Sequence, residues 1–457
     1  TSVKDTFVGK LFSNVELGLN FTAHDKTKSI DEYDINLKNN RARVNISPVG
    51  IGNANLGFVS WGGLAAFDIM GALNQYYALK GISDNAHWNK QWGLNEEFTT
   101  LYAKLDVDSE LFGHRLSGNV GVQYSDVRTQ SEGYIVGTSS TPTFNSVSNR
   151  YDDVLPSLNL ALDITKNQKL RLGASKQVAR PRPDDLRASV EASLGQILIG
   201  PDAGKWRYSG NGGNPNLQPW RANAYDLSWE WYLNKTSAIT LAGFYKTVDS
   251  YIYTQNSIFD FASVPNPNNL PLVSTLGTFS LPLNGVAAAN GKDAFIKGIE
   301  VRATIDLGNY VPMLSGFGFD GSYTKSDTNI APDGPASSNK LPGFSGSTYN
   351  ITGYYEKNGF QARISKRWRE AARSEVGGLF AAKTYVLTLD DEQVDAQIGY
   401  TFQSGQFEGL SINLQAFNVD NSPLRTRSTQ QTSSGTYLPE TYDLYGTQYA
   451  LSVGWKF

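Results

Sequence analysis

The chain has 457 residues, no Cys, two Met and a formal net charge of −3 from 40 basic and 43 acidic side chains. That balance offers no basic patch for nucleic acid, the missing thiols exclude a disulfide framework and a thiolate metal site, and no run of eighteen apolar residues supplies a transmembrane helix. What remains is a chain rich in Gly (44), Tyr (24) and Phe (22), with a mean hydropathy of −0.35 that suits soluble β domains or a barrel with a polar lumen.

Residues 1–10, TSVKDTFVGK, lack the apolar stretch of a signal peptide, so an exported protein is expected to be processed or a piece here. Alternation then begins at once. Residues 15–21 place Val15, Leu17, Leu19 and Phe21 on one face and Glu16, Gly18 and Asn20 on the other, the period of a β-strand. A polar, Gly-rich stretch over 22–92 follows, and its one apolar patch, 64–73, suits a short helix packed within a loop. Leu101, Ala103, Leu105 and Val107 form the next apolar row, and Leu116, Val120, Val122 and Tyr124 return beyond a turn at 108–115.

A Ser/Thr-rich loop is expected over 128–150. Leu158, Leu160, Leu162 and Ile164 then alternate with polar residues, and Leu170 and Leu172 return across a short turn at 165–169. Beyond a loop over 177–221, the row Tyr225, Leu227, Trp229, Trp231 and Leu233 is the clearest of all. It turns at 234–237 into Ile239, Leu241, Gly243 and Tyr245. A Pro- and Asn-rich loop over 255–292 precedes Ile299, Val301, Ala303 and Ile305, and then Phe317, Phe319 and Tyr323. Stretches 349–355 and 360–368 flank one short turn, and 394–402 and 410–416 flank another. The last stretch, 445–457, carries Tyr445, Tyr449, Leu451, Val453, Trp455 and Phe457 on one face.

Two regularities set the fold class. Connections alternate between short turns and long loops, as in outer-membrane barrels with short periplasmic turns and long extracellular loops. A Greek-key sandwich has no reason to sort its connections this way. The apolar rows also carry aromatics near their ends and aliphatics between, as lipid-facing strands do. The expected fold is all-β, an antiparallel transmembrane barrel of about fourteen strands, too wide to be filled by side chains alone.

Several stretches resemble TonB-dependent receptors, the energised outer-membrane transporters of Gram-negative bacteria. They include GNVGVQYSDVRTQSEGY (118–134), YDDVLPSLNLALDITKNQKLRLGASKQVARP (151–181), GNPNLQPWRANAYDLSWEWYLNKTSAITLAGFYKTVDSYI (213–252), KGIEVRAT (297–304), LQAFNVDN (414–421) and the terminal YGTQYALSVGWKF. The combination DVLPSLN, then ARP, then GNPNLQP is the most specific, and it is similar to a branch that takes up oligosaccharides and other scarce nutrients. The resemblance implies a 22-stranded barrel around an N-terminal plug, of which residues 1–457 are the C-terminal barrel part. On that pattern the plug, its energy-coupling box and the early strands lie outside this chain.

The resemblance also implies the partners. They are outer-membrane lipid, the barrel assembly machinery through the terminal strand (Tyr445, Tyr449, Trp455, Phe457), the TonB complex through the plug, and a small-molecule nutrient. Oligosaccharide is the favoured nutrient and an iron–siderophore or other chelate the next. A passive porin or a structural barrel is the alternative from another class, and a secreted all-β binding module or glycosidase a third.

No catalytic constellation, metal site or cofactor motif is present in the sequence. His24, His87 and His114 are far apart, and the pairs Asp152–Asp153, Asp184–Asp185 and Asp390–Asp391 lack calcium-loop spacing. The run 180–185, RPRPDD, marks the exit of a strand into a loop, with charge pairing as its expected role. Ligand-binding candidates are the loop aromatics Trp61, Trp88, Trp92, Trp206 and Tyr208, with Asp202 among their polar neighbours, because a flat ring stacks on the apolar face of a sugar. The competing role for these rings is packing of the loops against one another.

Overall fold

The computed structural model describes residues 12–38, 43, 45–55, 63–137, 141–285, 294–333, 339–377 and 383–456. One long antiparallel meander organises them. Its strands are β1 (Phe12–Lys28), β2 (Trp92–Leu111), β3 (His114–Val136), β4 (Thr143–Thr165), β5 (Gln168–Ala179), β6 (Trp220–Tyr232) and β7 (Ala238–Asp260). They continue with β8 (Ala294–Asp306), β9 (Phe317–Thr328), β10 (Ser347–Lys357), β11 (Phe360–Arg369), β12 (Asp391–Thr401), β13 (Leu410–Phe417) and β14 (Gln448–Trp455). Each strand pairs with the next, from β1 on β2 to β13 on β14. Every stretch expected from alternation has most of its residues on one of these strands.

The register aligns the apolar rows into a continuous belt. Leu19 faces Leu101, Leu101 faces Tyr124, and Tyr124 faces Val154. Further round, Leu172 faces Leu227, Trp229 faces Leu241, and Leu241 faces Val301. Ile398 faces Leu414, which faces Leu451. A water-soluble sheet hides such a row against a second layer. Here it is open, with Leu17 74% and Leu451 69% exposed, and an unbroken apolar surface of this extent belongs against lipid. Rings cluster toward the short-turn end, where Phe317 contacts Tyr355 and Tyr400 contacts Phe402, and toward the other end, where Tyr349 stacks on Trp368.

The opposite row is polar and self-satisfied. Asn159 donates to Asn119, Thr352 and Ser365 share a hydrogen bond, and Arg171 makes two bonds to Glu230. Small residues admit large ones on this face: a Cβ at Gly18 would collide with the Tyr102 ring, and one at Gly318 with Tyr354. Such glycine–aromatic pairs pin register in strongly curved sheets.

Connections sort by end. On one end they span 112–113, 166–167, 233–237, 307–316, 358–359 and 402–409; on the other they span 29–91, 137–142, 180–219, 261–293, 329–346, 370–390 and 418–447. Two of the three two-residue turns are Phe112–Gly113 (φ 53° and 77°) and Asn358–Gly359 (φ 52° and 83°). Two successive positive φ values give the type I′ geometry whose twist matches antiparallel strands.

The span 137–142 departs from the sequence expectation. In place of a loop over 128–150, β3 and β4 each run for 23 residues and join only at their tips. Their far ends stand clear of the apolar belt, where both faces are polar and no hydrophobic period announces a strand. The terminal strand is also shorter than expected. It starts at Gln448, because Gly446 (φ 74°) bends the chain and Asn418 donates to its carbonyl while accepting from Thr447. Tyr445 therefore precedes the strand, and Phe457 lies outside the described residues. The patch at 64–73 divides into a strand, Gly63–Phe67, and a helix α1, Ile69–Tyr76. Among the described residues no register joins β1 to β14, and all eight residues of β14 are exposed.

Candidate ligand-binding vestibule

The long connections fold over one end of the polar row and build packed interiors of their own. Val190–Gln196 and Trp206–Gly212 form a hairpin from the 180–219 loop, and Leu276–Gly285 joins it with Ser209 beside Thr278 in parallel register. Val190, Ala192, Tyr208, Phe261, Val264 and Phe279 close into a core beneath them. A second core gathers Val248, Tyr251, Ala294 and Ile330, with Tyr251 donating to the Ala331 carbonyl. These loops carry small apolar cores of their own.

Two of the loop aromatics singled out in the sequence, Tyr208 and Trp92, belong to packed interiors. Tyr208 is 1% exposed. Its ring stacks on Phe261 at 5.1 Å, its hydroxyl donates to the Val264 carbonyl, and burial pushes its pKa up. Trp92 is buried with Leu94, Leu186 and Leu217, under the Lys26 ammonium at 5.7 Å. Trp88 lies on the short helix α2 (Asn85–Asn89), packs its ring 4.8 Å from Tyr134 and donates to the Ser83 carbonyl. Trp206 is half-buried, and its backbone bonds Pro271 and Val273. Asp202 pairs with Lys205 at 3.0 Å. Trp61 lies outside the described residues. The structure thus disperses the set. It brings no two of the described four rings together around an open space.

A cavity that the sequence reading did not single out lies lower, on the polar row near the long-loop end of β1–β5. Its volume is about 320 Å³, and its lining includes His24, Phe98, Tyr151, Asp153 and Arg180. The Arg180 guanidinium lies 4.3 Å over the Phe98 ring, and His24 meets that ring edge-on at 5.8 Å. Arg221 clasps Asp153 through two bonds, of 2.6 and 3.2 Å. The Tyr151 hydroxyl is buried and finds no partner among the described residues, so it is a directional group held ready for a guest or a water. These residues occupy the polar positions of strands just beyond the apolar belt. None of the five lies in an alternating row of the sequence, and nothing in one sequence says that five strands converge there. Deeper along the same wall, a groove of about 810 Å³ presents Asn119, Asn159, Arg171, Asp226, Lys246 and Glu300.

One ion pair spans the mouth. Arg182, within the RPRPDD run just after β5, bonds both oxygens of Glu375 at 2.5 and 3.0 Å. Glu375 belongs to the Ala372–Gly377 strand between β11 and β12, so two distant walls are tied through their loops. The Glu375 carboxylate raises the Arg182 pKa, whereas burial draws Arg187, five residues on, below the usual value. Charge pairing was the role expected of this run. Replacing Arg182 by Ala should speed proteolytic nicking beside Ala372–Gly377, and adding Arg182→Glu to Glu375→Arg should slow it again. The pair is half-exposed, so the thermodynamic loss should be small, about 1 kcal/mol.

A lipid-facing apolar belt, a polar interior wall and sorted connections together define a membrane β-barrel. The family model described as TonB dependent receptor-like, beta-barrel, matches residues 5–422, and the chain belongs to that family of outer-membrane barrels. No curated protein matches it at a significant level. Among solved structures it is similar to the siderophore receptor PiuA from Acinetobacter baumannii, at TM-score 0.53 and 12% identity, over 98% of this chain and 54% of that one. It is also similar to the ferric citrate transporter FecA in its unliganded form, at TM-score 0.50 and 13% identity, over 83% and 47%. The chain spans about half the length of these structures, and at such identity the likeness is one of fold.

Proposed function

We propose that the chain is the C-terminal wall of a TonB-energised outer-membrane receptor that imports a scarce small-molecule nutrient in a Gram-negative bacterium. The observation that carries this reading is the family match over a belt whose connections are long on one end only. In this reading the long connections face outward and admit ligand, and the plug and remaining strands complete the barrel against the β1 and β14 edges. Unpaired backbone groups at those edges need such partners in lipid. Tyr449 and Trp455 then lie at the membrane interface, with Phe457 at the periplasmic rim for the assembly machinery, and Tyr445 at the outer end.

For the ligand, a ferric chelate is now the leading candidate. The similar solved receptors take ferric citrate or siderophores, and the vestibule sets Arg180 and His24 beside an unpartnered Tyr151 hydroxyl, groups suited to an anionic chelate. Oligosaccharide is the second reading. The Asn119, Asn159, Ser117 and Ser228 side chains of the lumen groove favour it, with half-buried Trp206 in the loops above as its stacking residue.

The test is uptake by the full-length receptor in a Gram-negative host with and without functional TonB, using a panel of ferric chelates and oligosaccharides. Saturable uptake that disappears without TonB supports the proposal, and the ligand that competes identifies its class. Equal passage in both hosts, proportional to solute concentration, identifies a passive pore instead.

A further inference from the structure

Among the described residues, the lipid-facing belt has a dent at Gly243 that is lined by apolar side chains and capped by two cations. Gly243 of β7 stands in the outward row with Leu227 of β6 and Ile299 of β8 as register partners. A Cβ built there would meet only the Gly298 carbonyl oxygen, at 3.8 Å, so a side chain would fit and the sequence supplies none. The result is a groove of about 600 Å³ whose walls are Leu172, Tyr225, Leu227, Tyr245 and Ile299.

Two cations close its long-loop end. Lys297 is the register partner of Tyr245, and Lys325 that of Ile299, so both side chains leave the sheet on the lipid side and not into the lumen. Lys325 is exposed and has no ion pair among the described residues. Lys297 lies 4.6 Å over the Phe295 ring and 3.9 Å from Asp327, a loose contact with the one carboxylate beside it. On a lipid-facing surface a charge is tolerated only near the headgroups. Two lysines above an apolar slot therefore match a phosphate joined to an acyl chain, through both charge and shape.

We propose that this groove binds a phosphorylated acyl lipid of the outer leaflet, its chain lying over Gly243 and its phosphate held by Lys297 and Lys325. The proposal rests on the reading that the long connections face outward. Each lysine near such a headgroup contributes enough attraction that losing both should weaken retention by roughly an order of magnitude or more.

The experiment uses the full-length receptor, extracted from membranes, delipidated and mixed with diphosphorylated lipid A or with phosphatidylcholine, with bound copies counted by native mass spectrometry. One lipid A should be retained through partial delipidation by the wild type, and lost from Lys297→Ala/Lys325→Ala and from Gly243→Phe, with phosphatidylcholine unchanged throughout. Gly243→Leu serves if the larger ring impairs folding. Equal retention by all variants overturns the site. Loss in the lysine variant alone, with inorganic phosphate competing, reduces it to a free-phosphate contact and overturns the lipid assignment. The membrane fraction is scored before extraction, so failure of the barrel reading appears as soluble receptor and not as lost lipid.

Discussion

Replacing Val120 by Arg should cost about 2–4 kcal/mol of folded barrel, whereas Arg at the adjacent Asn119 should cost little. Val120 stands in the middle of the apolar row, opposite Leu105 on β2 and Leu158 on β4. Near the centre of a bilayer an Arg there has no water and no counter-ion within reach. Asn119 points the other way, onto the polar wall it shares with Asn159, where a guanidinium remains solvated. The two substitutions differ by one residue, so general effects on strand propensity cancel. Denaturant titration of the receptor refolded into lipid vesicles reads both. Equal costs would mean that the two faces do not see different media.

The second large effect concerns the vestibule. Asp153 is 5% exposed and accepts two bonds from Arg221. Removing one member of a buried ion pair strands the other, a loss of about 3–5 kcal/mol. Arg221 retains some solvent contact, so Asp153→Ala should fall at the lower end of that range. Asp153→Leu combined with Arg221→Met removes both charges and should restore much of the loss, because no lone charge remains. Thermal unfolding of the folded receptor measures the cycle. If the double variant loses as much as Asp153→Leu and Arg221→Met lose when measured separately and added, the pair is not coupled.

The transmembrane wall was legible because its physics is local. A strand facing lipid needs an apolar side chain at every second position, and Tyr225, Leu227, Trp229 and Trp231 declare this without reference to any partner. The short turns were legible for the same reason, since Asn358–Gly359 carries its geometry in two residues. Above the membrane that constraint ends. The upper parts of β3 and β4 leave the lipid and are covered on one side by loops that bury even polar Thr129 and Ser131, so with Ser146 and Ser148 they keep no hydrophobic period although they form a regular ladder.

Loop interiors were hidden for a different reason. Tyr208 meets Phe261 and Phe279 through contacts more than fifty residues apart in sequence, and a solvent-facing ring and a core ring look alike when only one partner is visible. The tie from Arg182 to Glu375 is longer still, at 193 residues. Charge pairing at RPRPDD was readable, but its partner was not. The vestibule was hidden in the same way: His24, Phe98, Tyr151, Asp153 and Arg180 lie outside the alternating rows, and their convergence depends on five strands at once.

The central claim is topological: the chain crosses a membrane with its long connections on the outer side. The absence of native cysteine makes this directly measurable, since a single introduced thiol is the only one present in this part of the receptor. Cells expressing the full-length receptor with Asp202→Cys, in the 180–219 connection, or with Asn167→Cys, in the 166–167 turn, are treated with a membrane-impermeant maleimide. The account predicts labelling of Cys at 202 in intact cells, and labelling at 167 only after the outer membrane is permeabilised. Labelling of both in intact cells, or of 167 alone, would contradict it.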